Sequence, residues 1–145
     1  MKYHRNDIKN LISIELLKKG FVVSTKPQKE KIFHILCMNA DMTKRVNIRI
    51  VKSNTSSRMW TLNEDIENYP DNIFYVFVGY KTPKVPEFFI VPSKMVLDYT
   101  DENAKKWLNT QRKDGRPHKN IKTRKFIIET DEKKKYLNRW DLLGL

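Results

Sequence analysis

The stretch Arg45-Val46-Asn47-Ile48-Arg49-Ile50-Val51-Lys52 has the alternating pattern of a β-strand and ends in a lysine. Side chains two apart on a strand point to the same face, so Lys52 is predicted to share an apolar face with Ile50, Ile48 and Val46. A lysine at the end of such a face either extends to solvent or lies beside a functional site. The stretch therefore predicts a core strand and a candidate site at its end.

The composition is that of a folded protein with a heavily charged surface. The chain has 145 residues, of which 39% are hydrophobic and 11% aromatic, and its mean hydropathy is -0.66. This length fits one domain with one core, so residues 1–145 are predicted to form a single domain. The low hydropathy comes from charged side chains and not from low-complexity sequence.

The net charge of +12 arises from 29 Lys and Arg residues against 17 Asp and Glu residues. Such a field favours polyanions, with nucleic acid ahead of an anionic membrane surface, although a lysine-rich surface can also serve solubility alone. The N-terminal residues lack the apolar region of a secretory signal, and no stretch has the length of a membrane span. We therefore expect a cytoplasmic protein that does not bind a membrane.

Apolar periodicity divides the first half of the chain into one helix and three strands. Residues 6–19 are predicted to form an amphipathic helix that Gly20 ends, and strands are expected at 21–25, 31–38 and 45–52. Cys37, in the second strand, is interpreted as a small core residue without chemistry, since a lone cysteine excludes an internal disulfide.

The second half continues the alternation of strands and helices. Met59–Leu62 is expected to lead into a polar helical segment at 63–68. The run Ile73–Val78 is apolar on both faces and predicts a strand in the buried middle of a sheet. Another strand is expected at 87–91, followed by two short helices, 93–97 and 101–108. The predicted class is therefore α/β, with a mixed central sheet flanked by helices.

The end of the chain combines a basic segment with an apolar one. Residues 109–125 are very basic, lack apolar periodicity, and are interpreted as an ordered loop or a flexible arm. The closing Tyr136–Leu143 is expected to dock on the domain. All three tryptophans, Trp60, Trp107 and Trp140, are predicted to be core residues.

The predicted elements are a helix, three strands of which the last ends in lysine, a central strand and flanking helices. This order resembles that of the restriction-endonuclease-like, or PD-(D/E)XK, superfamily. The likeness extends to a bacterial family of small, single-domain proteins of that superfamily, and it covers nearly the whole chain. The stretches that carry it are 73–78, 86–93 and 136–144, together with Trp107-Leu108, Gly115, Pro117-His118-Lys119 and Arg124-Lys125-Phe126.

The resemblance implies divalent-metal hydrolysis of a phosphodiester, with an Asp on one strand and an acidic residue or Gln two places before a Lys on the next. Lys52 matches the motif lysine, whereas the two acidic positions fall on His34 and Ile50. Hard cations such as Mg²⁺ need carboxylate oxygens, and isoleucine cannot ligate a metal. The resemblance thus implies a degenerate site without a metal or cofactor, unless Glu15 or Glu30 supplies a relocated carboxylate for Mg²⁺ or Mn²⁺.

Phosphate contacts without a metal are predicted for the lysine, the polar loop after it and the basic segment. The candidate nucleic-acid contacts are Lys52, Ser53, Arg58, Arg112, Lys113, Arg116, His118, Lys119, Lys122 and Arg124. An ordinary connecting loop and a solvated charged segment remain the alternatives for these two stretches.

Three hypotheses follow from the sequence. The leading one is a catalytically inactive nuclease-fold protein, a pseudonuclease, that binds DNA or RNA through a basic surface. The second is an active metal-dependent nuclease with relocated carboxylates. The third is a protein-interaction module that acts in defence or counter-defence. The sequence leaves the oligomeric state open.

Overall fold

A mixed five-stranded sheet forms the centre of the protein, with the strand order β1-β2-β3-β5-β6. The computed structural model describes residues 5–25, 35–53, 58–62, 72–82, 85–109, 115 and 124–145. The helices are α1 (Arg5–Lys18), α2 (Ser93–Asn109) and α3 (Lys133–Tyr136), and 3-10 turns cover Thr130–Glu132 and Trp140–Leu143. The strands are β1 (Val22–Ser24), β2 (Ile35–Met38), β3 (Arg45–Lys52), β4 (Met59–Leu62), β5 (Ile73–Thr82), β6 (Val85–Pro92) and β7 (Arg124–Ile127).

Helix α1 covers one face of the sheet with an apolar stripe. Ile8, Ile12 and Leu16 recur at helical spacing and are fully buried. The helix ends where Gly20 adopts φ +85°, a left-handed conformation that glycine reaches without steric cost. The Phe21 N–H then donates to the Leu16 carbonyl over 3.2 Å and turns the chain into β1. The predicted first helix and its glycine stop are confirmed.

Strands β1, β2 and β3 form an antiparallel meander. The turn from β2 to β3 is held by polar side chains, because the Asp41 carboxylate accepts hydrogen bonds from the backbone and hydroxyl of Thr43. These bonds lower the pKa of Asp41, whose carboxylate form they stabilise. The described part of the predicted strand 31–38 begins at Ile35, and residues 31–34 lie outside the described residues.

Strand β5 runs parallel to β3 and antiparallel to β6. Its residues from Ile73 to Gly79 are all buried, which confirms the prediction of a strand covered on both faces. The strand extends further than predicted, to Thr82, and the geometric middle of the sheet is β3, with β5 beside it. The predicted α/β class with a mixed sheet flanked by helices is therefore confirmed.

A second, two-stranded sheet packs on the face opposite α1. It pairs Met59–Leu62 antiparallel with Arg124–Ile127, so that Trp60 lies opposite Phe126. Met59–Leu62 is thus a strand of its own. The helical segment predicted at 63–68 lies outside the described residues.

Two predictions for the region after β6 were wrong. The helices expected at 93–97 and 101–108 are one helix, α2, from Ser93 to Asn109. The helix continues through the polar residues at 98–101, and the buried Thr100 hydroxyl is satisfied within it by donating to the carbonyls of Val96 and Leu97, at 2.9 and 3.1 Å. Trp107, predicted to be a core residue, is 46% exposed near the end of this helix.

The C-terminal segment docks across the free edge of β6, as the sequence predicted. The Asn138 N–H donates to the Phe88 carbonyl over 2.9 Å, and Leu137 forms an isolated bridge with Phe89. Tyr136 is buried on the face that carries the small sheet, whereas Trp140 and Leu143 are buried on the α1 face. Among the described helices, none is long and apolar enough to cross a membrane.

Candidate functional site at the end of strand β3

Lys52 is the last residue of β3 and lies opposite Val78 in the parallel pair with β5. It is half-buried, while Ile50, Ile48 and Val46 on the same face are buried in the core under α1. The strand register therefore places the lysine where the apolar face ends, as the alternating sequence pattern predicted.

Ile50 occupies the position two residues before the lysine and is 5% exposed. It lies opposite Val76 and packs in the same core as Ile12 and Leu16. A hydrocarbon side chain supplies no ligand atom, so this position holds no metal. Here the side chain has a different role, which is to fill the core next to the candidate site.

The chain that follows Lys52 is fixed to β5 and β4 by hydrogen bonds. The Ser53 N–H donates to the Val78 carbonyl over 3.2 Å, and the Trp60 indole N–H donates to the same oxygen over 2.9 Å. The Ser53 hydroxyl donates to the Met59 carbonyl over 3.2 Å, and the residue is buried. Ser53, predicted to contact nucleic acid, thus directs its hydroxyl into the protein and positions the backbone next to Lys52.

Arg58 directly precedes β4 and connects its start to the segment after β7. Its Nε donates to the Ile128 carbonyl over 3.3 Å, its Nη2 donates to the Thr130 hydroxyl over 2.6 Å, and the Ile128 N–H donates back to the Arg58 carbonyl over 3.0 Å. The guanidinium is therefore engaged in holding two distant segments together. Residues 54–57 between Ser53 and Arg58 lie outside the described residues.

The remaining predicted contact that the structure describes is Arg124, the first residue of β7. It is half-buried and lies opposite Leu62 in the small sheet. Six further predicted contacts, and the degenerate acidic position His34, lie outside the described residues. Those six are Arg112, Lys113, Arg116, His118, Lys119 and Lys122.

The carboxylates considered for a relocated metal site do not form a cluster in the described part of the chain. Glu15 is on α1, where Lys18 lies 3.6 Å away, and Glu30 falls outside the described residues. Lys9, also on α1, donates from Nζ to the Thr25 carbonyl over 3.1 Å. The residues that the structure describes contain no group of three or more His, Cys, Asp or Glu side chains placed to hold a metal ion.

Cys37 is buried in the core under α1, in agreement with its interpretation as a core residue. Burial raises the pKa of its thiol to about 11, and a hydrogen bond with the Met38 backbone offsets a smaller part of that rise. A thiol that stays protonated at neutral pH is a poor nucleophile, so it has no role in the site.

Sequence reasoning missed Trp107 as a surface residue. The signal was present, because Trp107 follows two lysines and precedes the basic segment, but tryptophan is usually a buried residue. The buried residues of α2 are all in its first half, and Trp107 lies in the second half, where the helix is largely exposed.

No protein-family model matches this chain, and no curated protein matches it. Among solved structures, this protein is similar to a bacterial homing endonuclease, I-Ssp6803I, with 16% sequence identity and a TM-score of 0.45. The matched region covers 68% of this chain and 72% of that chain. At this level of similarity, no residue role of that protein transfers to this one.

Proposed function

We propose that this protein is a pseudonuclease, which binds nucleic acid through a basic surface and does not hydrolyse it. The observation that carries the proposal is the end of β3, where Lys52 is kept and the acidic position two residues earlier is filled by the buried Ile50. The helix, three-stranded meander and parallel β5 also follow the order on which the sequence resemblance rests.

The proposed loss of hydrolysis rests on ligand chemistry. A divalent metal activates a water molecule for attack on a phosphodiester only when protein oxygens hold the metal next to the scissile group. Ile50 supplies no oxygen, and its side chain is part of the core under α1. A carboxylate at this position would be buried, which is costly unless a cation compensates it.

The proposed binding rests on charge. The net charge of +12 attracts polyanions, and phosphate contacts account for most sequence-independent affinity. Lys52 and Arg124 are the described candidates for such contacts, while Ser53 and Arg58 act by positioning the backbone around them. The basic segment that precedes Arg124 supplies further cations in the sequence, and DNA and RNA both fit this chemistry.

Fluorescence anisotropy with labelled duplex DNA, single-stranded DNA and RNA at low salt tests the proposal. We expect binding to weaken as salt is added, with log Kd rising linearly with the logarithm of the salt concentration. Lys52→Ala should weaken binding to each nucleic acid that the wild type binds. It should also reduce the slope of log Kd against log salt concentration by about 1, the value for one lost phosphate contact. Lys18→Ala, which removes a lysine of the α1 surface, is the control and should leave the slope unchanged.

Two outcomes would overturn the proposal. If none of the three nucleic acids binds at low salt, a protein partner replaces nucleic acid as the target. If the protein cleaves plasmid or single-stranded substrate with Mg²⁺ or Mn²⁺, and Lys52→Ala abolishes cleavage, the protein is an active nuclease with relocated ligands.

A further inference from the structure

The two halves of helix α2 differ in burial. Its buried residues, Ser93, Val96 and Thr100, all lie in its first half. From Asp101 to Asn109 every residue is exposed except Ala104, which is half-buried. At 3.6 residues per turn, Trp107 lies within about 20° of Val96 around the helix axis, so it continues the inward-facing stripe. The stripe thus continues from the buried half of the helix into the exposed half.

The last turn of α2 combines exposed apolar and cationic side chains. Trp107 is 46% exposed and Leu108 is 39% exposed. Lys105 and Lys106 directly precede them and are exposed as well. Lys106 lies 3.8 Å from Glu102, but both side chains are more than 70% exposed, and such a surface pair contributes little and leaves the ammonium accessible. We call these four residues, 105–108, the α2 tip.

We propose that the α2 tip is a stacking platform for an unpaired base, with Trp107 as the stacking side chain and the neighbouring lysines as phosphate contacts. The inference rests on the proposed function and narrows it to nucleic acid with single-stranded character. Base–aromatic stacking works with any base because every base has a π-face, and it combines with positive charge along the backbone.

Charge complementarity favours nucleic acid over a protein segment as the occupant. Between Lys105 and Lys125 the sequence has nine Lys or Arg residues and one acidic residue, Asp114. A purely apolar partner would gain from the indole and Leu108 but would have to desolvate the adjoining cations. A nucleic acid strand uses both, since its bases contact the indole and its phosphates contact the lysines.

The same geometry favours single strands over duplexes. In a duplex each base already stacks on its neighbours, so an indole reaches a base face only where a base is unpaired or terminal. Phosphates, by contrast, are available in both forms. Removing the indole should therefore weaken binding to single strands and leave binding to duplexes nearly unchanged.

The test compares four proteins, wild type, Trp107→Ala, Trp107→Phe and Met95→Ala, on a twenty-nucleotide oligo-dT and on a duplex of about the same length. Trp107→Ala should weaken oligo-dT binding about tenfold or more, the loss expected of one base–aromatic stack. Trp107→Phe should keep most of the affinity. Met95→Ala is the matched control, because Met95 is on the same helix, is also 46% exposed, and should change neither affinity.

Intrinsic fluorescence gives a second readout. Trp60 and Trp140 are buried, 1% and 3% exposed, so Trp107 is the tryptophan that a bound base can reach. Oligo-dT should quench the emission of the wild-type protein and protect it from acrylamide, and both effects should disappear in Trp107→Phe. Thermal melting of each variant verifies that the fold is intact.

The outcomes separate this inference from the proposed function. If the wild type binds both oligonucleotides and Trp107→Ala binds oligo-dT as tightly as the wild type, the stacking role is wrong and the proposed function stands. An equal loss on single strand and duplex would also overturn stacking, because the indole would then support the surface in general. If the wild type binds no nucleic acid at low salt, both are wrong.

Discussion

The two faces of the five-stranded sheet are packed with different kinds of side chain. Under α1 the core consists mainly of Ile, Leu and Val, and it ends at the candidate site beside Lys52. On the other face, six of the ten buried core residues are aromatic, and they lie between the sheet, β4, β7 and α2. One face is thus closed by a neighbouring helix, and the other by strands from distant parts of the sequence.

The aromatic face depends on specific ring contacts. Phe77 of β5 stacks on Phe126 of β7, with ring centroids 4.6 Å apart and an interplanar angle of 11°. Trp60 of β4 packs against Phe77 at 5.1 Å and against Phe89 at 5.6 Å. These offset and edge contacts add to the area that the rings bury. We therefore expect the face under α1 to tolerate the exchange of one aliphatic side chain for another better than the aromatic face tolerates the loss of a ring.

Ile50→Asp gives the largest effect that we expect on the aliphatic face. It places a carboxylate in the core under α1, on the same strand face as Lys52, and should reduce the free energy of unfolding by about 4 kcal/mol at neutral pH. Burial raises the pKa of the new carboxyl in the folded state. The destabilisation from charge is therefore absent below about pH 4 and grows as the pH rises.

Urea unfolding of Ile50→Asp and Ile50→Asn across pH 4–8 separates the charge from the shape. The Asn variant should lose stability to a similar extent at every pH. If the Asp variant shows the same flat profile, the carboxylate is solvated and Ile50 is not the core residue described here.

Trp60→Ala tests the aromatic face and should reduce the free energy of unfolding by about 3–5 kcal/mol. It removes two ring contacts and the indole hydrogen bond to the Val78 carbonyl. Trp60→Phe keeps a ring but loses the donor, so it should cost less. Urea denaturation followed by circular dichroism measures both, and equal losses would show that the hydrogen bond, and not the ring packing, stabilises this face.

The C-terminal segment joins the two faces, and its ion pair gives a smaller effect. Lys133 Nζ lies 2.9 Å from a carboxylate oxygen of Glu87, whose side chain is 10% exposed. Glu87→Gln should destabilise the protein by about 1 kcal/mol, since the lysine is itself 30% exposed and partly solvated. Glu15→Gln is the matched control, because the exposed pair with Lys18 should contribute about 0.5 kcal/mol or less. Thermal melts that rank the two variants in the opposite order would contradict this.

Cys37 tests how tightly the aliphatic face is packed. The change in stability that we expect from it is the smallest of those predicted. Its thiol pKa of about 11 means that, near pH 8, a thiol reagent should label the native protein slowly and the urea-unfolded protein rapidly. Because the folded pKa is raised above 9.0, the stability that the protonated thiol contributes is fully present below that pH and is lost as the pH rises toward 11. Native labelling as fast as unfolded labelling would show that this face opens readily.

The aliphatic side of the fold could be predicted from the sequence because its signals are local. The helical spacing of Ile8, Ile12 and Leu16, the alternation along β3 and the continuous apolar run of β5 each identify an element and its buried side. The position of Lys52 at the end of β3, beside Ile50, followed from the same alternation. The structure confirms that Lys52 and Ile50 lie at these positions of the strand, while their functional roles stay predictions.

The other side could not be predicted because its signals are long-range. Met59–Leu62 and Arg124–Ile127 are four-residue strands whose paired residues lie more than sixty positions apart in the sequence, and the pattern of neither strand identifies its partner. The polar residues at 98–101 carry no apolar period, so the sequence pattern did not show that α2 runs through them with the Thr100 hydroxyl satisfied inside the helix. Likewise, the side-chain hydrogen bonds of Arg58 depend on Ile128 and Thr130, which are far away in the sequence.

By itself, the sequence determined the α/β class, the face on which Lys52 lies and the absence of an acidic residue two positions before it. Periodicity and residue chemistry suffice for these, because they concern one element at a time. That Ile50 fills the core, that Ser53 and Arg58 hold the backbone and that Trp107 is largely exposed became visible only in the folded protein. Burial is a property of what packs against a side chain, and the packing of α2 buries residues in its first half alone.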